Sequence, residues 1–245
     1  MKKHFVEQTH WDAIWQGVGF EAAPQGDVIR EWLTRQLGTH SGACLELGCF
    51  PGRYLAVLAE LGYEVHGIDL TPRVDSDLKT WMQRQGYKVG EFVRADVLTY
   101  PYQRKYDVVC SFGFIEHFGD WPGVLALQAN LVANDGYLVV SAPNFKGWVQ
   151  YGLHRCLDQA NLAEHNIHSM VPLEWAKLVA SMGFDIRWSG YVGRFDFWVG
   201  MQPMGQLKKA IVRTVQKTIP WWRMLPPGGA SYAPYCGLIA RKRAS

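Results

Sequence analysis

The sequence LELGCFPGRY, residues 45–54, joins an apolar run to a segment with a helical pattern that ends near Leu61. Gly48 and Gly52 frame the junction. Glycine adopts backbone angles that are barred to other residues and lets the backbone approach a ligand closely. In open α/β sheets, ligands bind beyond the carboxyl ends of the strands, where such a junction lies. The stretch therefore predicts a strand, a ligand-binding turn and a helix.

Short apolar runs alternate with helical segments along the rest of the chain, a pattern typical of a parallel sheet covered by helices on both faces. The runs that we predict to be strands are 43–47, 64–68, 89–93, 106–111, 137–141, 184–188 and 235–240. The predicted helices include 53–61, 72–85, 122–133 and 174–182. Thr71 is expected to cap the second of these helices, and Asn134-Asp135-Gly136 is expected to form a turn.

The composition is that of an ordinary globular protein, since 48% of the 245 residues are hydrophobic and 19% are charged. It excludes wholesale disorder and suits a single α/β domain, residues 1–245. The amino terminus lacks the apolar stretch of a secretory signal, and no stretch is long and apolar enough to span a bilayer. The five cysteines are scattered, without the Cys-x-x-Cys spacing of a metal site. These features predict a cytoplasmic protein with reduced thiols.

Two cofactor classes share a glycine turn followed by an acidic residue at the end of the next strand, and Glu46 favours one of them. Asp69 lies 21 residues beyond Gly48, at the end of the second apolar run, where a carboxylate can accept hydrogen bonds from two ribose hydroxyls. A dinucleotide site needs G-x-G-x-x-G, but Phe50 occupies the place of the middle glycine. Glu46 would repel a diphosphate and attract a cofactor that carries an amino group and a sulfonium. A nicotinamide-dependent oxidoreductase is therefore the less favoured alternative.

Several motifs resemble, in their order, those of class I S-adenosylmethionine-dependent methyltransferases: Glu46-x-Gly48-x-x-x-Gly52, Asp69, Ala95-Asp96 and the run 106–118. The resemblance covers residues 43–240. It implies a Rossmann-like fold, a doubly wound, seven-stranded mixed sheet with an antiparallel last strand and helices on both faces. It also implies S-adenosyl-L-methionine as the cofactor. Phe50 departs from the commonest, glycine-rich version of the turn.

The resemblance assigns parts of the cofactor to particular residues. The turn 48–52 would pass under the methionine part, and Glu46 would organise its amino group. Asp69 would hold the ribose, and Asp96 with Val97 would face the adenine. Taken singly, Glu46 could be a strand-end charge and Asp96 a turn cap. The complete set of expected cofactor-binding residues is Glu46, Gly48, Cys49, Phe50, Gly52, Asp69, Leu70, Asp96, Val97, Ser111 and Phe112.

Methyl transfer to a hydroxyl requires a base near the methyl group, because the hydroxyl must lose its proton. His117 lies in the loop after the fourth predicted strand, which faces the cofactor in the resembling family, and histidine titrates near neutral pH. In some resembling enzymes, this position packs the cofactor pocket without acting as a base. His165 is the second candidate for a base or an acceptor-binding residue. We predict His117 and His165 as the catalytic residues.

Residues 143–170 follow the fifth predicted strand and are expected to form a lid over the substrate. They include a group of polar side chains between His154 and His168, whose aspartate and histidines could bind a divalent metal. The spacing of these side chains is irregular. We therefore predict a hydrogen-bonded lid and no metal site.

The nature of the acceptor follows from a looser resemblance. The stretch from Pro143 to Tyr191 resembles bacterial methyltransferases of surface-sugar and secondary-metabolite pathways. We therefore expect a small-molecule acceptor, a sugar or a secondary metabolite, that is methylated on oxygen. The alternatives are N- or C-methyl transfer to a lipid-linked or other metabolite at the membrane surface, and a non-catalytic module that binds the cofactor.

Both ends of the chain carry features outside the predicted sheet. Residues 1–40 are expected to form a helical cap in which Trp11 and Trp15 share one helical face. Residues 201–245 hold eight Lys or Arg and no acidic residue. Within them, 201–233 are expected to form a basic amphipathic insertion before the last strand.

The segment 206–223 has two interpretations. Its apolar side chains form a stripe with a spacing of four residues: Leu207, Ile211, Val215 and Ile219. The stripe and the basic side chains suit peripheral contact with the inner face of an anionic membrane, and equally a helix packed on the sheet with a solvated basic face. We expect no nucleic-acid partner, because the rest of the chain is acidic and holds no recognised nucleic-acid module. The sequence holds no signal for the oligomeric state.

Overall fold

The computed structural model describes residues 6–200, 204–222 and 224–244. Seven strands form one sheet in the order β3-β2-β1-β4-β5-β7-β6. Their bounds are β1 Ala43–Leu47, β2 Glu64–Asp69, β3 Val89–Arg94, β4 Tyr106–Phe112, β5 Val132–Pro143, β6 Phe184–Val192 and β7 Tyr235–Lys242. β7 is antiparallel to both of its neighbours, and the other neighbouring pairs are parallel. The predicted doubly wound, seven-stranded mixed sheet is confirmed.

Helices cover both faces of the sheet. In the described residues they are α1 Gln8–Trp15, α2 Val28–Leu37, α3 Arg53–Glu60, α4 Lys79–Arg84, α5 Trp121–Leu131, α6 Trp148–Leu157, α7 Gln159–Ala163, α8 Pro172–Ser181 and α9 Gln206–Trp222. Apolar residues of α2, α3 and α4 pack in one core on one face, and those of α5 and α8 pack in a second core on the other. Side chains along a strand alternate between the two cores, as for Leu45 and Cys44 of β1.

The predicted helix from Pro72 begins later than expected. A π-helical turn, Val74–Leu78, precedes α4. Thr71 does not cap this helix through its side chain. Instead, its backbone N–H donates to the Asp69 carboxylate at 2.8 Å, and this bond holds the chain in a turn at the end of β2. Thr71-Pro72, a sequence typical of a helix start, therefore belongs to the turn after β2 instead.

The turn predicted at Asn134-Asp135-Gly136 is a distortion within β5. Asp135 has a positive φ of 62°, and the register of β5 with β4 shifts between Tyr106 and Val108. The strand therefore begins at Val132, where the sequence suggested the end of a helix. Asparagine, aspartate and glycine suit a bulge as well as a turn, because both need unusual backbone angles.

Only part of the amino-terminal segment that was predicted to form a helical cap lies outside the core. The helix α2 buries Ile29, Trp32, Leu33 and Leu37 in the core beside the sheet. Its start is fixed by Asp27, whose carboxylate accepts hydrogen bonds from the N–H groups of Ile29 and Arg30 in the first turn, each at 3.0 Å. The cap is therefore α1 and the segment that follows it; residues 1–5 of the expected cap lie outside the described residues.

The helix α9 packs beside the lid and not on the sheet. Its buried Val212 belongs to a small apolar cluster with Leu157 of α6 and with Phe195 and Phe197, which follow β6. Of the predicted stripe, Val215 and Ile219 pack against this cluster, whereas Leu207 and Ile211 are exposed. The interpretation of this segment as a helix packed on the sheet is therefore wrong. Residues 201–203 and 223 of the expected insertion lie outside the described residues. None of the helices within the described ranges has the length and apolarity needed to cross a membrane.

Candidate active site

A cavity of about 1020 Å³ lies at the carboxyl ends of β1, β2 and β4. It is the place where the ligands of open α/β sheets bind. Ten of the residues predicted to bind the cofactor line it: Glu46, Gly48, Cys49, Phe50, Gly52, Asp69, Leu70, Asp96, Val97 and Phe112. Both predicted catalytic histidines, His117 and His165, line it as well. The structure therefore brings together residues that are up to 119 positions apart (46 to 165) in the sequence.

Ser111 is the exception among the predicted site residues. Its side chain is fully buried, and its hydroxyl donates to Oε1 of Gln128 on α5 at 3.0 Å. Neighbouring residues of a strand point to opposite faces, and Ser111 faces the helix layer while Phe112 borders the cavity. This contact holds the Ser111 side chain away from the cavity, so the prediction that it binds the cofactor is corrected.

The turn after β1 requires glycine at two positions. Gly48 and Gly52 have φ values of +67° and +80°, which L residues with side chains rarely adopt. A Cβ atom at Gly48 would lie 2.2 Å from the ring of Phe114, and one at Gly52 would lie 2.6 Å from Leu78. A side chain at either position would therefore strain the backbone and collide with a neighbour. At Gly48 that neighbour is Phe114, in the loop after β4.

Glu46 is a buried carboxylate at this turn, with only 4% of its surface exposed. Its Oε2 atom is buried without a hydrogen-bond partner. Burial, and then the negative charge of Asp69, raise the pKa of Glu46 well above its usual value. A buried acceptor with no partner is costly. A ligand that offers a cationic donor would remove this cost, so Glu46 suits an ammonium group.

Asp69 is held at the end of β2 by the backbone of the turn. Its carboxylate accepts hydrogen bonds from the N–H of Phe50 at 3.1 Å and from that of Thr71 at 2.8 Å. Burial raises the pKa of Asp69, and N–H groups of Thr71, Phe50 and Leu70 oppose that rise. A carboxylate has about four acceptor positions, so these bonds orient Asp69 and leave room for ligand hydroxyls.

Asp96 and Val97 form the next part of the cavity wall, after β3. The Asp96 carboxylate accepts the N–H of Leu98 at 2.9 Å, which is the turn-capping contact foreseen as the alternative to a binding role. Val97 is buried beside it, and both residues line the cavity. Asp96 therefore both caps this turn and lines the cavity.

The helix α1 covers the cavity. The Trp11 ring lies edge-on to His117, with ring centroids 4.8 Å apart, and stacks on Trp15 at 6.0 Å. The chain after α1 is held by Arg73, whose guanidinium donates to the carbonyl oxygens of Trp15 at 2.6 Å and Val18 at 3.1 Å. Trp15 borders the cavity as well. Nothing in the sequence pattern indicated the contacts of Arg73.

Three titratable side chains from the loop after β4 and the predicted lid meet at the cavity wall. The Nδ1 atoms of His117 and His165 lie 3.0 Å and 2.6 Å from the carbonyl oxygens of Glu164 and Asn161. Burial lowers the pKa of His117 to about 3 and that of His165 to about 4. Both histidines are therefore neutral at neutral pH and are weak bases.

The third side chain, Glu116, was missed by the sequence analysis. It is fully buried, and among the described residues neither of its carboxylate oxygens has a hydrogen-bond partner. Burial raises its pKa to about 8, although nearby backbone N–H groups of Glu116 and Phe114 lower it in part. The signal that could have found it is its position next to His117 in a loop that faces the cavity.

The lid is held by a hydrogen-bonded cluster around Asp158. The carboxylate lies 3.3 Å from Nδ1 of His154 and accepts hydrogen bonds from Asn161 at 2.8 Å and from the N–H of Gly200 at 2.9 Å. Burial raises the pKa of Asp158, but these bonds together bring it below its usual value. The segment predicted to form the lid therefore contains a buried hydrogen-bonded cluster, and Asn161 and Gly200 border the cavity.

Comparison with known proteins identifies the family of this architecture. Residues 21–187, more than half of the chain, match the family described as methyltransferase domain. A ubiquinone biosynthesis O-methyltransferase from Cupriavidus pinatubonensis is 25% identical over 161 residues, which cover 63% of this chain and 65% of that protein. The chain spans less than two thirds of the length of the curated relatives that it matches.

Solved structures show the same fold. Phosphoethanolamine N-methyltransferase 2 from Haemonchus contortus, in complex with S-adenosyl-L-methionine, has a TM-score of 0.60 at 14% identity, with 96% of this chain and 56% of that chain covered. Magnesium protoporphyrin IX methyltransferase from Synechocystis, with bound SAH, has a TM-score of 0.53 at 16% identity, with 96% and 93% covered. At these identities the likeness concerns the architecture.

Proposed function

We propose that this chain, which belongs to the methyltransferase domain family, transfers a methyl group from S-adenosyl-L-methionine to an oxygen of a small metabolite. The observation that carries the proposal is the buried, unpartnered carboxylate oxygen of Glu46 beside the glycine turn. An oxygen acceptor is also supported by the name of the curated relative, a ubiquinone biosynthesis O-methyltransferase. The acceptor class that we favour is a sugar or a secondary metabolite.

The cavity wall fits the parts of this cofactor. Glu46 would receive the amino group, because a cationic donor satisfies its buried Oε2 atom. Asp69, oriented by the N–H groups of Phe50 and Thr71, would accept the ribose hydroxyls. Asp96 and Val97 would face the adenine. A diphosphate at the same turn would meet the Glu46 carboxylate, which disfavours a nicotinamide cofactor.

The rest of the site would align the acceptor and exclude water. Bound S-adenosyl-L-methionine supplies a methyl group on a cationic sulfur, which keeps the electron pair of the broken carbon–sulfur bond. Trp11 of α1 and the lid residues around His165 enclose the acceptor side. If His117 and His165 donate through Nδ1, as their carbonyl partners require, each keeps Nε2 as an acceptor for a substrate hydroxyl.

The test is an assay with S-adenosyl-L-methionine and a panel of hydroxylated metabolites, with mass spectrometry of the products. We expect a product heavier by one methylene unit, and its loss in the Glu46→Gln variant. Binding of the cofactor without turnover of any acceptor class would favour the non-catalytic module. Full activity of both His117→Ala and His165→Ala would favour a nitrogen or carbon acceptor, which needs no base.

A specific observation favours a membrane location for the reaction. On α9, Leu207 is 76% exposed and Trp221 is 78% exposed, beside basic side chains that are all exposed: Lys208, Lys209, Arg213 and Lys217. We propose that this surface binds anionic lipid and brings a lipid-linked acceptor to the site. Exposed aromatic and aliphatic side chains next to lysines are typical of helices that lie in a membrane interface.

This membrane contact is tested by sedimentation with vesicles of anionic lipid. We expect the chain to sediment with these vesicles and not with neutral ones, and the Leu207→Ser and Trp221→Ser double variant to remain in solution. The matched control is Leu173→Ser on α8, which replaces a leucine that is 62% exposed elsewhere. Equal sedimentation of the double variant and the control would contradict the role of α9.

A further inference from the structure

We propose that Glu116, His117 and His165 bind one divalent transition-metal cation, which holds the oxygen of the acceptor that is to be methylated. Each side chain offers one ligand atom, and these atoms all lie within 4.8 Å of one another. Two imidazoles and a carboxylate are a ligand set that many divalent metal sites use. The inference deepens the proposed function and rests on it for the identity of the acceptor.

The two histidines are oriented as metal ligands. A metal-binding imidazole usually donates its other N–H to a carbonyl or a carboxylate, which fixes the tautomer and the ring orientation. Here, Nδ1 of His117 contacts the carbonyl oxygen of Glu164 at 3.0 Å, and Nδ1 of His165 contacts that of Asn161 at 2.6 Å. Because a carbonyl oxygen only accepts, both Nδ1 atoms carry the proton. Nε2 is then the nitrogen with the lone pair that a cation binds.

Glu116 supplies a second, independent observation. Its side chain is fully buried, it borders the cavity, and both of its oxygens lack a hydrogen-bond partner. A carboxyl group in this state is among the costliest groups to bury. Besides the backbone N–H groups of Glu116 and Phe114 and the Cys236 thiol, the groups near this carboxyl are two imidazoles, whose lone pairs cannot satisfy a carboxylate. A cation between the three side chains would satisfy all of them.

The donor set indicates the class of cation and its role. Imidazole with carboxylate suits first-row transition metals, whereas Mg²⁺ and Ca²⁺ prefer oxygen ligands alone. Three protein ligands leave coordination positions for a substrate. A hydroxyl bound to such a cation loses its proton to water more readily. Its oxygen then forms the new bond to the methyl carbon. His117 and His165 would therefore act as ligands of the cation.

The direct test is a calorimetric titration of the tag-free protein with Mn²⁺ and with Zn²⁺, in the absence of S-adenosyl-L-methionine. We expect one ion per chain, a dissociation constant at least about tenfold higher in Glu116→Gln and His165→Ala, and weaker binding of Mg²⁺. The control is His168→Ala, which removes an exposed histidine of the same lid and is expected to bind as the unchanged chain does. Melting temperatures would confirm that each variant is folded.

The outcomes separate this inference from the proposed function. Glu116→Gln is expected to bind S-adenosyl-L-methionine within about threefold of the unchanged chain, because Glu46 and Asp69 are intact. Failure to bind either ion, or equal binding by Glu116→Gln and the unchanged chain, would overturn the metal site and leave cofactor binding untouched. Loss of cofactor binding in the unchanged chain would instead overturn the proposed function.

Discussion

The two sides of the cavity are built in different ways. The cofactor side takes its residues from the ends of β1, β2 and β3 and the turns that follow them, within residues 46–97. The acceptor side combines the loop after β4 with the predicted lid, so that His117 and His165 meet although they are 48 positions apart in the sequence. The sheet determines the first side, whereas loop packing determines the second. The sequence therefore locates the first side more readily than the second.

Strand register explains why the cofactor side is so compact. The parallel pairing places Glu46 opposite Gly67 and Leu47 opposite Ile68. Asp69 therefore follows directly beside the turn that begins at Gly48, whose N–H donates to the carbonyl oxygen of Ile68 at 2.9 Å. Once β1 and β2 pair in this register, the two carboxylates are neighbours.

The largest effect is expected for Gly48→Ala, which alters the point where the two sides touch. The new Cβ would collide with Phe114 of the acceptor-side loop, and its backbone strain adds about 1–3 kcal/mol. We expect the affinity for S-adenosyl-L-methionine, measured by calorimetry, to fall by at least about 100-fold. The control is Gly86→Ala, which has the same kind of backbone strain at φ +78° but open space around it. Equal losses in both variants would show that strain alone is responsible.

Asp69→Ala tests the cofactor side alone. We expect a loss of cofactor affinity of about 30-fold, because a hydrogen-bonded carboxylate contributes about 2 kcal/mol. The exposed Asp75 lies in the next turn of the chain, and Asp75→Ala should leave the affinity unchanged. An unaltered affinity in Asp69→Ala would remove this residue from the site.

Glu46→Gln should change stability and binding in opposite directions. Burial raises the pKa of Glu46 in the folded chain, whereas the unfolded chain keeps an ordinary pKa of about 4.3. The cost of ionising the buried carboxyl is therefore absent below that pH and grows as the pH rises above it. The unliganded variant should be more stable than the unchanged chain at pH 7 and equally stable near pH 4.

Denaturant unfolding at several pH values measures this difference, and calorimetry measures the accompanying loss of cofactor affinity. Glu31→Gln is the control, because Glu31 is an exposed glutamate on α2 and its replacement should give no such pH-dependent gain. A Glu46→Gln variant that is less stable at pH 7 would show that the carboxylate has a structural partner.

The smallest effect is expected for Arg73→Ala, which loosens the covering helix and leaves both sides of the cavity intact. Arg73 joins the carbonyl oxygens of Trp15 and Val18 to the ring of Phe50, over which its guanidinium lies at 5.3 Å. We expect a loss of cofactor affinity of a few-fold, about 1 kcal/mol, with increased quenching of tryptophan fluorescence by acrylamide. Unchanged quenching would mean that α1 is held by other contacts.

The sequence predicted the sheet and the cofactor side because both depend on short, local patterns. Apolar runs that end in Gly48 or Asp69 mark strand ends, and parallel strands bring those ends to one edge. The same reasoning failed for Ser111, because a shift of one residue along a strand turns a side chain to the other face. It also placed a turn at Asp135, where the structure has a bulge inside β5.

On the acceptor side, the sequence predicted His117 and His165 but not Glu116, because these side chains meet only through tertiary packing. Nothing near Glu116 in the sequence indicates that both of its oxygens are left without partners beside His165. Similarly, the apolar stripe of α9 gave no sign that Val215 and Ile219 would pack beside the lid while Leu207 stays exposed. Long-range contacts of this kind have no periodic signal.

The most direct measurement is a pair of calorimetric titrations of the unchanged chain, one with S-adenosyl-L-methionine and one with NADH. We predict one bound S-adenosyl-L-methionine per chain and no uptake of NADH, because the Glu46 carboxylate beside the glycine turn attracts a cationic ligand and repels a diphosphate. Tight binding of NADH with no binding of the sulfonium compound would contradict it.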